Sequence, residues 1–156
     1  MNKPIYSKHS ILHVIETLER GGAESRLLED VRNLVEFSHE VCYLFKDKNS
    51  LEDEFRKVGA KVYCLAMRNN IDFFNGFIRF FLLIKKCKPD IIHTHLFFSN
   101  IISRLACIFY PKIAYVQTIH APDYKKNGSY IYSHYRHILE LVTLMFKTPR
   151  FIAVSE

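Results

Sequence analysis

Short runs rich in Ile and Val alternate with helical runs along this chain, which predicts an α/β fold: a three-layer α/β/α, Rossmann-like domain with a mostly parallel sheet. Three observations carry the prediction. Six β-like segments, Ser10–Ile15, His39–Leu44, Lys61–Leu65, Asp90–Thr94, Ile113–His120 and Phe151–Val154, are mostly short and bounded by polar turns. The segments between them are long enough for crossover helices, which join parallel strands with right-handed geometry. Two of the five glycines stand side by side, Gly21-Gly22, between the first strand and the first helix.

The elements follow in order. In 23–35, Ala23, Leu27, Leu28, Val31, Leu34 and Val35 recur with the helical period, so this helix packs one face on the sheet. Leu51–Val58 is a short helix stopped by Gly59. Asp72–Cys87 is apolar nearly all round and is expected to be buried on more than one side, with Pro89 marking its end. Ser99–Phe109 forms the next helix, with Ser99 as N-cap. Ser129–Thr148 forms the last, ended before Pro149. With 156 residues, no internal repeat and no linker, the chain reads as one domain, 1–156.

Composition narrows the class without naming a function. Hydrophobic residues make up 49% and charged residues 24%, as in globular proteins. The net charge of +6, from 22 basic and 16 acidic residues, favours anionic partners or simply a basic surface. Cys42, Cys64, Cys87 and Cys107 form no C-x-x-C pair and read as buried, reduced thiols of a cytosolic protein. No signal peptide is visible at the start. Phe73–Ile84 is too short to span a bilayer, and Ile91–Tyr110 carries His93, His95, Asn100 and Arg104.

In sheets of this class ligands bind beyond the carboxyl ends of the strands. The candidate residues are those in the loops there. Gly21 and Gly22 open a helix whose first amides lack internal partners, a geometry suited to an anion. The segment lacks G-x-G-x-x-G and the phosphate-loop lysine, which argues against nicotinamide, flavin and P-loop chemistry. His120 closes the fifth strand at the ligand face and can hydrogen-bond a sugar hydroxyl or titrate near neutrality. His93 and His95 alternate onto one face; His95 is expected to line the pocket and His93 to pack under the sheet. No carboxylate or cysteine follows at a zinc spacing, so no metal is expected. Ser155 lies in the loop after the last strand. Lys125-Lys126, between Tyr124 and Tyr130, fits an anionic membrane surface or a lipid-linked phosphate. No RNA-binding motif accompanies these residues, and nucleic acid is not an expected partner.

Taken together, Gly21-Gly22-Ala23-Glu24, Pro89-Asp-Ile-Ile-His-Thr-His95, Thr118-Ile-His120 and Phe151-Ile-Ala-Val-Ser-Glu156 resemble, in order, the N-terminal half of a glycosyltransferase family 4 enzyme of GT-B fold. The resemblance implies a cleft between two Rossmann-like domains, of which this one holds the acceptor. It implies a nucleotide-sugar donor as co-substrate, a glycan or lipid-linked acceptor, retention of configuration and no metal or other cofactor. It places His120 near the transferred sugar or acceptor as the catalytic residue and brings the glycine loop, Gly21 and Gly22, to the donor's phosphates; with them, His95 and Ser155 are the substrate-binding candidates. The family's nucleotide-binding domain, with its paired glutamates, has no counterpart in these residues. The chain alone is therefore expected to transfer nothing and to need that domain or a partner subunit. By analogy, the setting is bacterial envelope polysaccharide synthesis in the cytoplasm, with peripheral attachment to the inner face of the plasma membrane. Two alternatives are a non-catalytic glycan-binding module or partner-dependent subunit, and a nucleotide-binding α/β protein of another class.

Overall fold

The computed structural model describes residues 8–47, 49–119, 138–145 and 148–153. Its core is a six-stranded, all-parallel sheet: β1 (Ser10–Ile15), β2 (Ser38–Phe45), β3 (Lys61–Met67), β4 (Ile91–His95), β5 (Ala114–Ile119) and β6 (Arg150–Ala153). The order is β3-β2-β1-β4-β5-β6, so the winding reverses between β1 and β4. The helices are α1 (Gly22–Asn33), α2 (Glu52–Lys57), α3 (Phe73–Cys87) and α4 (Phe97–Cys107), with a short 3₁₀ turn at Asn70–Asp72. Residues 138–144 are also helical.

Two apolar layers sandwich the sheet. Ile15, Leu27, Leu28, Val31, Val41, Phe55 and Val62 form the layer under α1 and α2. Leu12, Val14, Leu65, Phe80, Ile84, Ile92 and Ile102 form the layer under α3 and α4. The alternation along β1 sends Leu12 and Val14 one way and His13 and Ile15 the other. Asp90 ties the amino ends of β1 and β4 together: its Oδ2 accepts from the Ser10 amide at 2.8 Å and from Ser10 Oγ at 3.1 Å. The Ser10 amide is the main reason that the Asp90 carboxyl lies below its usual pKa; burial opposes it, and Ser10 Oγ and His9 add to the lowering.

Several sequence expectations are corrected. α1 ends at Asn33, because Leu34 leaves the helix to turn toward β2; Val35 is exposed. α3 is buried on one face, through Gly76, Phe80, Leu83 and Ile84. Phe74, Ile78 and Leu82 on its outer side are 72%, 42% and 56% exposed. α4 starts at Phe97, and Ser99 lies inside it, fully buried. The cap comes from elsewhere: Glu16 Oε1, in the loop after β1, accepts from the Phe98 amide at 2.7 Å. Cys64 is exposed, since β3 is an edge strand with an open side, and Cys87, at the end of α3, is half-buried; Cys42 and Cys107 are buried as expected.

Arg104 is the largest fully buried side chain among the described residues. Its guanidinium donates to Gln117 Oε1 at 2.5 Å, Thr143 Oγ1 at 2.9 Å and the Glu140 carbonyl at 3.1 Å. One α4 side chain thus holds β5 and the 138–144 helix in place.

Candidate functional site

The reversal of strand order puts the β1–α1 and β4–α4 turns next to each other at the carboxyl edge, where a doubly wound sheet opens a crevice. In the first turn, Gly21 caps α1 in an extended conformation, with φ −140° and ψ −179°, and accepts from the Ser25 amide at 3.0 Å. Its backbone is open to any residue. What favours glycine is Glu24: a Cβ on Gly21 would lie 2.6 Å from Glu24 Oε2. Glu24 is buried, and its Oε1 accepts from Thr17 Oγ1 at 2.9 Å. A Cβ on Gly22, in contrast, would meet nothing within 4 Å.

The second turn holds Leu96 at φ 71° and ψ 169°, a region populated almost solely by glycine, at a cost of about 1–3 kcal/mol. Strain of this size is kept where the surroundings over-determine it. Here Leu96 packs on the α1-side layer, its carbonyl accepts from the Asn100 amide, and Glu16 fixes the start of the helix. The N-terminus of α4 therefore carries a carboxylate of the chain itself, whereas Glu24 lies in the first turn of α1 without capping its amides.

Farther along the same edge a groove of about 310 Å³ opens beyond β2 and β3, with Lys46, Arg68 and Arg79 around it and Asp72 on its wall. A shift in β2–β3 pairing and the positive φ of Ala66, 53°, shape this groove. Arg79 holds the distortion by donating to the carbonyls of Leu65 at 2.7 Å and Ala66 at 3.3 Å. Sequence reading missed this basic groove, whose cations come from three separate segments.

His95 ends β4 and is 1% exposed, whereas His93 is half-buried. The two rings share a face, with centroids 4.3 Å apart, as alternation requires. The one nearer the carboxyl end is closed off beside Leu96. His93 Nε2 pairs with Thr118 Oγ1 at 2.7 Å. Sequence reading also missed the neighbours on β1 and β2. His13, directly opposite His93 in the β1–β4 register, brings its ring centroid to 5.3 Å from that of His93 and 6.2 Å from that of His95. His13 Nε2 and His39 Nδ1 are 3.0 Å apart, and His39 Nε2 lies 2.8 Å from the Leu34 carbonyl. The carbonyl can only accept, so His39 carries its proton on Nε2. In neutral rings His13 then donates from Nε2, and its Nδ1 keeps a bare lone pair. That Nδ1 is buried without a hydrogen-bond partner. Burial first, then His93 and His39, hold the His13 pKa well below the usual imidazole range. One ring nitrogen each from His13, His93 and His95 lie within 4.8 Å of one another.

His120 and Ser155 lie outside the described residues, as do Lys125 and Lys126. Among the described residues no helix is long and apolar enough to cross a membrane.

Comparison with known proteins agrees with this architecture. A model of Glycosyltransferase Family 4 matches residues 20–156. The capsular polysaccharide biosynthesis glycosyltransferase CapH of Staphylococcus aureus is 31% identical over 98 residues, 62% of this chain and 26% of its own length. A glycosyltransferase from Rickettsia africae ESF-5 superposes with a TM-score of 0.56 at 18% identity, over 97% of this chain and 44% of that one. UDP-GlcNAc 2-epimerase from Neisseria meningitidis, solved with UDP-GlcNAc bound, gives 0.56 at 16% identity, over 85% and 38% of the two chains. At these identities the two solved structures establish the fold. The chain spans about a quarter of the capsular relative's length and less than half of either solved chain.

Proposed function

Because the chain belongs to Glycosyltransferase Family 4, we propose that it forms the acceptor-side half of an enzyme that moves a sugar from a nucleotide-sugar to a glycan or lipid-linked acceptor. Envelope polysaccharide synthesis is the proposed setting, in keeping with the capsular relative. The observation that carries the reading is Gly22. It opens α1 at the reversal of strand order with free space where a side chain would stand, so a ligand can approach the backbone there.

The electrostatics favour the acceptor over the donor on this half. Glu16 caps the N-terminus of α4 and Glu24 lies in the first turn of α1, so a diphosphate arriving there would meet carboxylate oxygens. Sugar hydroxyls would instead find acceptors. An anionic acceptor head suits the groove with Lys46, Arg68 and Arg79. The donor's nucleotide is assigned to a second domain or subunit. Retention of configuration without a metal, and a catalytic role for His120 with Ser155 binding substrate, complete the proposal.

Peripheral attachment at the cytoplasmic membrane face is part of the same reading. Ile71, Phe74, Ile78 and Leu82 form an exposed apolar ridge on and before α3, with Arg79, Lys85 and Lys86 also exposed on that helix. A helix with apolar and basic residues on its outer side suits an anionic bilayer.

The test is sugar transfer by the chain joined to its donor-binding half, compared with His120→Ala. Loss of turnover of about a hundredfold or more, within the usual range for removing an acid–base group, is the expected result. Unchanged turnover removes His120 from catalysis. Absence of transfer by the joined protein, with acceptor binding intact, would favour a non-catalytic acceptor-binding module.

A further inference from the structure

We infer that His13, His93 and His95 form a binding site for a divalent transition-metal ion of the zinc class, built across β1 and β4. The inference is independent of the sugar-transfer reading. It begins with the ring network. The Leu34 carbonyl fixes the proton of His39, His39 fixes that of His13, and the remaining His13 nitrogen is a lone pair buried without a donor. A ligating histidine ordinarily has its second nitrogen held in this way by a neighbouring acceptor, which sets the tautomer and orients the ring.

The other two rings complete a facial set. Parallel pairing places His13 opposite His93, and alternation brings His95 onto the same face. Their three ligand atoms already lie within 4.8 Å of one another. A tetrahedral zinc ion with bonds near 2.0–2.1 Å needs them about 3.4 Å apart. Ion binding would therefore require the rings to draw together by side-chain rotation. His93 is half-buried, and a water would complete the four-coordinate set. An all-imidazole set favours zinc, cobalt or nickel over magnesium or calcium, which prefer oxygen. The bound ion would cross-link the two strands that flank the crevice, directly beneath the strained Leu96 turn.

The test uses the purified chain titrated with zinc chloride against a chromophoric chelator, with magnesium chloride as control. One equivalent of zinc is expected to bind and to raise Tm, while magnesium leaves Tm unchanged. His93→Gln, which keeps a polar group toward Thr118, is expected to weaken zinc binding by about tenfold or more. His9→Ala, at an exposed histidine, is expected to leave it unchanged. X-ray absorption of the one-to-one zinc complex provides a reading free of any folding defect in a variant. A first shell containing three imidazole nitrogens near 2.0 Å is the expected spectrum. No saturable one-to-one binding, equal stabilisation by magnesium, affinity undiminished in His93→Gln, or fewer than three imidazoles in the first shell would each overturn the site.

Discussion

Gly22 and Gly21 are adjacent, yet their side-chain hydrogens face different surroundings. Nothing within 4 Å opposes a methyl group at Gly22, and its backbone is helical. Gly22→Ala is therefore expected to hold or raise stability, by up to about 1 kcal/mol, measured by denaturant unfolding. If Gly22 faces the acceptor as proposed, the same change in the chain joined to its donor-binding half is expected to raise the KM for acceptor at least severalfold. Gly21→Ala should displace the flexible Glu24 carboxylate from its bond with Thr17. Asp90 gives a residue-scale pH dependence. Its folded pKa is depressed, so its stabilising effect is complete above the ordinary carboxylate pKa of about 3.9 and fades as pH falls through the folded value. Asp90→Asn should thus lower Tm at neutral pH and flatten the acid limb of the Tm profile; an unchanged acid limb would contradict this. At this scale the sequence was least legible. The H-x-H pair was visible, but its third partner, His13, is brought opposite by strand pairing, which local spacing does not encode.

Helices α3 and α4 differ in what covers them. The outer ridge of α3 is exposed at Phe74, Ile78 and Leu82, although its composition alone reads as buried all round, because periodicity reports apolarity and not what lies opposite. Phe74→Glu with Ile78→Ser is expected to reduce sedimentation with anionic vesicles several-fold while leaving Tm within a few degrees. Unchanged sedimentation would remove the ridge from membrane attachment. α4 is instead anchored from within by Arg104. Arg104→Met strands Gln117 and the Glu140 carbonyl without their donor, and a loss of about 3 kcal/mol is expected by urea unfolding. A loss below about 1 kcal/mol would show that water replaces the guanidinium. The N-terminus of α4 was misplaced from sequence because its cap, Glu16, comes from the loop after β1 rather than from the adjoining Ser99.

The whole molecule was the most legible level. All six strand positions and their parallel connection follow from Ile- and Val-rich runs spaced by crossover-length helices, and the structure shifts their ends by a residue or two. The reversal between β1 and β4, which creates the crevice, depends on the α3 crossover passing to the other face and has no local signature. That reversal underlies the central claim, that the carboxyl edge is the acceptor surface. Amide chemical-shift mapping tests it most directly: the ¹⁵N-labelled chain titrated with a short-chain isoprenyl diphosphate sugar. Saturable shifts confined to Gly21, Gly22, Leu96, Lys46 and Arg68 are expected, with none at Ser38 or Gly59 at the amino edge. Shifts centred on the amino edge, or none at saturating ligand, would contradict the claim.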